Sequence, residues 1–316
     1  MKRIIENRAS SILYNVIVSN NLSGKKILLP ANVCPIVPAT LLKCNVEYEF
    51  VDISSMDYLM DREIVKEKIK TEDIAAIIFV RTYGYFSDET AFFRELKYIS
   101  PNIVIIDDRS LCVPQLTPNY ESYTDLILYS TGYSKYVDLG YGGYAFIKET
   151  LSYESFALDF NEKDHDNLIK QFKYNLDNKS RFNYVDTNWL DNRKCEIDEV
   201  KYFEKINKRI QEIELHKNRL NEIYETNLPA EIQLKKDYNN WRFNILVNNK
   251  KFILKKIFEN DLFASSHYQS LVGIFGKGIG ENANNLHSKV INLFNDFRLD
   301  EKKAYKTCEI INKYYE

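Results

Sequence analysis

Cysteine is sparse in this chain of 316 residues, and the five present, Cys34, Cys44, Cys112, Cys195 and Cys308, show no C-x-x-C spacing and make an odd total. That excludes a disulfide framework and a zinc ribbon and fits a reducing cytosol. Long apolar runs are also missing. No stretch approaches the roughly 18 residues that read as a membrane span, and Met1-Lys-Arg-Ile-Ile-Glu6 has no apolar core of signal-peptide length, so a soluble cytoplasmic protein is expected. Neither sign of charge dominates: 43 basic and 45 acidic residues are interspersed, with a formal charge of −2. A nucleic-acid or anionic-membrane surface is therefore not expected. Histidine is limited to four residues, and His165, His216 and His287 show no ligand spacing, so no metal is expected. No internal repeat is visible.

What is present is periodicity. Short apolar runs at 27–30, 46–51, 74–80, 102–106, 126–130 and 143–147 read as strands, and they alternate with helical patterns at 8–20, 35–43, 61–69 and 88–98. Such alternation means parallel strands joined by crossover helices, an α/β fold. The polar, aromatic stretch 150–192 reads as a partly helical connection. A long amphipathic helix at 196–225 follows, its apolar face including Val200, Phe203, Ile206, Ile210, Ile213, Leu220 and Ile223. A strand at 243–247 and helices at 250–259 and 300–315 complete a smaller α+β unit. The domains expected are thus 1–190 and 191–316, and an apolar content of 45% can bury one large core and one small one.

Two places carry chemistry. The run Leu126-Ile-Leu-Tyr-Ser130-Thr-Gly-Tyr-Ser-Lys135, followed by Gly140, Gly142 and Gly143, sets a single lysine in a tight polar turn between strands. Crowding that costs the charged amine hydration would lower its pKa and make it a nucleophile. A solvated turn lysine fits the same segment taken alone. Upstream, Asn102-Ile-Val-Ile-Ile-Asp107-Asp108 is a buried-strand pattern closed by two carboxylates. Ligands in open α/β sheets sit at the carboxyl ends of strands, and pyridoxal phosphate (PLP) enzymes need an acid beside the pyridine nitrogen. A hydrated strand end is the plain alternative.

Taken in order, Val104-Ile-Ile-Asp-Asp108, then Ser130-x-x-x-x-Lys135, then Gly140-x-Gly142-Gly143 resembles the DegT/DnrJ/EryC1/StrS sugar aminotransferases, a fold-type-I PLP family. Ile27-Leu-Leu-Pro30-Ala, Val46-Glu-Tyr-Glu-Phe-Val-Asp52-Ile, Arg81-Thr-Tyr-Gly84 and His267-Tyr268 fit the family's order as well, so the likeness covers most of the chain. It implies a large PLP-binding domain with a seven-stranded, mostly parallel sheet and a small α+β domain. It also implies that Lys135 forms the Schiff base with the cofactor and shuttles the proton, that Asp108 holds the pyridine nitrogen protonated, and that Ser130 binds the phosphate. Ser10 and Ser11, at a helix start, would add hydroxyls to the phosphate site, although a simple helix N-cap fits them nearly as well. His267 and Tyr268 would lie near the substrate, and a structural role suits a lone histidine equally.

The resemblance further implies a homodimer whose partner subunit sends an asparagine to the phosphate. Strict alignment puts Asp191 at that position, and a one-residue shift puts Asn192 there. Arg193 reads equally as a salt-bridged residue near the helix start. Other departures are plain. The chain begins almost at the phosphate loop, so an N-terminal helix and arm are expected to be missing. Cys34 stands where the family stacks an aromatic on the ring, and Arg109-Ser110-Leu111 replaces Ala-Ala-Gln or Ala-Ala-His, removing a hydrogen-bonding side chain and adding a cation.

The activity this implies is transamination of a nucleotide-linked keto or amino sugar, with glutamate as donor. The alternatives are a PLP lyase or decarboxylase on a small amino substrate, or a catalytically reduced homologue that partners a full-length aminotransferase.

Overall fold

A computed structural model of the protein describes residues 1–118 and 123–315. In chain order the first part holds β1 (Lys2–Glu6), α1 (Ala9–Ser19), β2 (Lys26–Pro30), α2 (Ile36–Lys43), β3 (Glu47–Val51), α3 (Arg62–Thr71), β4 (Ile74–Val80), α4 (Thr90–Ile99), β5 (Val104–Asp108), β6 (Leu126–Ser130) and β7 (Gly143–Ile147). The strands form one seven-stranded sheet in the order β1-β7-β6-β5-β4-β2-β3. β2 to β6 are parallel, whereas β7 runs against both its neighbours, β6 and β1.

The apolar runs form strands because both sheet faces are covered. Leu28, Ile77, Phe79 and Ile105 pack on Val65 and Ile69 of α3 and Phe92, Phe93 and Leu96 of α4. On the other face Ile27, Leu29, Ile78 and Ile106 meet Ile12, Leu13 and Val16 of α1. Truncating one such central side chain to alanine would cost about 2–5 kcal/mol. β5 continues through both aspartates, two residues past the apolar run, because the ladder to β4 pairs Asp107 with Phe79 and Asp108 with Val80. β1 was not expected from the sequence. Its short, charged pattern becomes a strand only through pairing with β7, which lies about 140 residues away in the chain.

The second part holds α5 (Glu162–Asn178), α6 (Glu199–Asn227), β8 (Phe243–Leu246), α7 (Lys250–Glu259), β9 (Ala264–Ser265), α8 (Glu281–Lys289), β10 (Val290–Leu293) and α9 (Glu301–Tyr314). β8, β10 and β9 make a separate three-stranded sheet. The 29-residue α6 belongs to two cores: Tyr202, Phe203, Ile206 and Ile213 pack on β6 and β7, and Leu220, Ile223 and Tyr224 pack with the small sheet and α9. Val200 lies outside its apolar face and is 68% exposed, because Asp198 caps the helix and turns this first-turn residue to solvent. Among the described residues no helix is long and apolar enough to cross a membrane.

Candidate active site

The carboxyl ends of β2, β4, β5 and β6 share one edge of the sheet. Because β7 is antiparallel, the loop that leads into it starts and ends at that same edge, and Lys135 is on this loop. Ser134, just before the lysine, has φ +64°, a left-handed conformation that costs a non-glycine residue about 1–2 kcal/mol. Four hydrogen bonds hold it there. Its N–H donates to Asp138 Oδ2 at 2.8 Å, and its carbonyl accepts from Trp241 Nε1 at 2.7 Å. Its hydroxyl accepts from Arg242 Nη2 at 2.8 Å and Arg298 Nη1 at 3.1 Å. Gly142 (φ +87°) closes the loop under the Tyr202 hydroxyl, where a Cβ would approach to 2.5 Å.

Lys135, half-buried, lines a cavity of about 20 Å³ with Asn32, Cys34, Thr82, Asp108 and Tyr268. Asp108 is buried, and its Oδ1 accepts the Ser110 N–H at 2.9 Å. Burial pushes its carboxyl above the usual carboxylate range, against the opposing pull of the Ser110 hydrogen bond and the Lys135 charge. Asp107 points elsewhere. Burial also penalises its charge, but Arg81 and Arg109, each 2.8 Å away, outweigh that and hold its carboxyl below the ordinary value. Of the two aspartates, Asp108 alone faces the lysine. The cation that Arg109 adds is turned away from the cavity, to Asp107 and to Gln115 Oε1.

At the other side of the lysine loop, the point above Gly132 where a Cβ would lie is 3.4 Å from Ser130 Oγ and 3.9 Å from Arg8 Nη1. A hydroxyl and a guanidinium thus approach the same glycine beside the start of α1. Arg8 donates to the Gly140 carbonyl at 2.9 Å and makes no ion pair among the described residues. Arg8, not a serine, is the N-cap residue of α1. Ser10 follows in the first turn, half-buried.

Two expected phosphate ligands are placed differently. Ser11 is fully buried with its hydroxyl on the Asp191 carbonyl at 2.7 Å. Asn192 is a strut inside its own chain: its amide donates to Asn15 Oδ1 at 2.8 Å and the Phe156 carbonyl at 2.6 Å, and its Oδ1 accepts from Asn15. A buried amide with both ends committed cannot extend outward without breaking those bonds. Arg193 pairs with Asp191 at 2.8 Å and is exposed.

His267 and Tyr268 lie just past β9 rather than in a strand. The His267 carbonyl accepts the Tyr83 hydroxyl, its N–H donates to Asn292 Oδ1 at 2.7 Å, and the residue is exposed. Tyr268 stacks on Trp241 with ring centroids 6.1 Å apart. Sequence reasoning missed Asn32, Thr82, Arg8, Trp241 and Arg242. Only Arg8 carried a signal, as the one cation in the serine segment.

The two-sheet α/β architecture is one that this chain shares with solved aminotransferase structures. A DegT DnrJ EryC1 StrS aminotransferase from Brucella abortus superposes with TM-score 0.72 at 16% identity, over 100% of this chain and 86% of that one. A protein described as a sugar aminotransferase from Streptococcus pneumoniae, in its PMP form, gives 0.73 at 13% identity, over 99% and 87%. The sugar aminotransferase CalS13 from Micromonospora echinospora gives 0.70 at 13%, over 99% and 87%. No protein-family model and no curated protein matches the sequence.

Proposed function

We propose that the protein is a PLP-dependent aminotransferase that places an amino group on the keto carbon of a nucleotide-linked sugar. Glutamate is the donor, and the enzyme works as a cytoplasmic homodimer with a large domain to residue 190 and a small one from 191. The single observation that carries this reading is that Lys135 and the buried Asp108, which has no ion-pair partner among the described residues, line one cavity at the carboxyl edge of the large sheet. The sugar is supported by the names of the structural neighbours, and the nucleotide link and the donor by the sequence motifs.

The donor set suits PLP: an amine, an acid, a hydroxyl and a guanidinium near Gly132, and two buried side chains, Asn32 and Thr82, with polar atoms that no group among the described residues satisfies. A volume of about 20 Å³ admits a single water-sized group, so seating a pyridine ring requires the cavity to widen. When bound, the cofactor supplies an electrophilic aldehyde and an electron-withdrawing ring. Lys135 would hold the cofactor through its amine at that aldehyde, with loss of water, and, freed when the donor's amine takes its place, would take and return the proton at the reacting carbon. Asp108 would accept the ring N–H, which would give its buried carboxyl a cationic partner. Ser130, Ser10 and Arg8 hold the phosphate dianion beside the first-turn N–H groups of α1. His267 and Tyr268 border the substrate side.

The test is an absorption titration with PLP, borohydride reduction and peptide mapping. A visible band that collapses on adding glutamate, with the reduced label on Lys135 and neither band nor turnover in Lys135→Ala, is expected. A label on another lysine, or a band that glutamate leaves unchanged, overturns the reading. The small cavity favours one second reading, a catalytically reduced partner of a full-length aminotransferase, and absence of any band at saturating PLP would establish it.

A further inference from the structure

Asn32 lies two residues past the end of β2, is 1% exposed, and has no hydrogen-bond partner among the described residues for either its Nδ2 or its Oδ1. Thr82, just past the end of β4, is also 1% exposed, with an unpartnered hydroxyl. β2 and β4 are adjacent and parallel, so the two side chains emerge at the same edge, into the cavity that Lys135 and Asp108 line. Buried polar groups in folded proteins are nearly always paired, and one left bare in a cavity wall is a position that a bound group satisfies. A hydrophobic side chain would fill this space at no such cost. Val33, the next residue, and Leu111 across the cavity do so.

Leu111 marks what is lacking. It stands where resembling sequences carry glutamine or histidine, and it has no hydrogen to donate. We propose that the Asn32 amide, with the Thr82 hydroxyl beside it, takes over that task and hydrogen-bonds the oxygen that the cofactor ring bears next to its aldehyde. That oxygen is a phenolate, for which a carboxamide N–H and a hydroxyl are matched donors, and bonds to a charged acceptor are the stronger kind. The inference rests on the PLP reading above and adds to it the residues that recognise this ring substituent.

The experiment uses the full chain and two probes, PLP and its 3-deoxy analogue, which keeps the aldehyde and phosphate but lacks the ring oxygen. Wild type, Asn32→Leu, Asn32→Ala and Thr82→Val are titrated with each by absorbance and fluorescence, and melted without ligand. Asn32→Leu is expected to weaken PLP roughly tenfold or more, the scale of a hydrogen bond to a charged group. It should leave the analogue unchanged, and it should melt higher than wild type when empty, since an unsatisfied amide has been removed. Thr82→Val should follow with a smaller loss. A lower melting temperature together with an unchanged PLP-to-analogue ratio would make Asn32 a structural residue and sink the inference, as would equal loss for both probes. If Leu does not fit, the same ratio read on Asn32→Ala decides. An unaltered ratio in variants of a wild type that binds PLP overturns this inference alone, whereas a wild type that binds neither probe overturns the PLP reading with it.

Discussion

Trp241 donates its indole N–H to the carbonyl of Ser134 over 2.7 Å, one residue before Lys135. The backbone that carries the Lys135 amine is therefore fixed by a side chain from the region of the small sheet. Arg242 reinforces the contact, stacking on Trp241 at 4.3 Å and bonding the Ser134 hydroxyl. Trp241→Phe keeps the ring packing and removes the donor. It should lower stability by about 1 kcal/mol and slow turnover about tenfold through misplacement of the amine. Melting curves and single-turnover rates on the same preparation would check both.

Asp108→Asn should separate stability from chemistry. The carboxyl's pKa is raised in the folded protein, so its contribution to stability is present below the unfolded value of about 3.9 and is lost as pH rises through the folded value. At pH 7 the cofactor-free variant should melt above wild type, by a margin that vanishes in acid. Turnover should fall by orders of magnitude while PLP still binds. Asp107→Asn should behave oppositely, because it strips the buried guanidinium groups of Arg81 and Arg109 of their carboxylate, a loss of about 3–5 kcal/mol for a broken buried pair.

Arg8→Ala should reveal itself through the ligand's phosphate. The Arg8 guanidinium and the Ser130 hydroxyl both approach Gly132, so the variant should bind PLP at least about tenfold more weakly and pyridoxal, which lacks the phosphate, as wild type does. Parallel fluorescence titrations decide it; equal loss for both ligands would remove Arg8 from the phosphate site.

Lys217 should give stability a pH dependence on the basic side. It is buried, donating to the Trp241 carbonyl and Asn295 Oδ1, each at 2.7 Å. Burial first, then the charges of Arg242 and Arg298 against the pull of Asp296, push its pKa down to about 7. The unfolded amine titrates near about 10.4. Between those values the unfolded chain binds more protons at this position, so Lys217 contributes more stability as pH rises from 7 to 10 and least below 7. The melting temperature of wild type relative to Lys217→Met should climb across that window, and a flat difference would refute the buried neutral amine.

Lys135 and Asp108 could be read before any coordinates because each ends or follows an apolar run, and strand ends at one sheet edge are where α/β ligands sit. The parallel strands and crossover helices were legible for the same reason: the periodicity of burial is local. What stayed hidden was set by distant partners. Ser11 and Asn192 have side chains suited to a phosphate, yet Asp191, Asn15 and Phe156 claim them. Asn32 gave no signal, since an asparagine after a strand reads as an ordinary turn residue until its surroundings show that nothing pairs with it. β1 and the outward turn of Val200 likewise depended on β7 and on the Asp198 cap.

The α6 rod has one end under the lysine loop and the other in the small sheet. Its first turns bring the Tyr202 hydroxyl to Thr131 Oγ1 at 2.6 Å, and its last turns bring the Tyr224 hydroxyl to the Phe294 carbonyl at 2.8 Å. The small sheet and the loop that carries Lys135 are therefore tied to one element, so a substitution that shifts either end of α6 is felt at both.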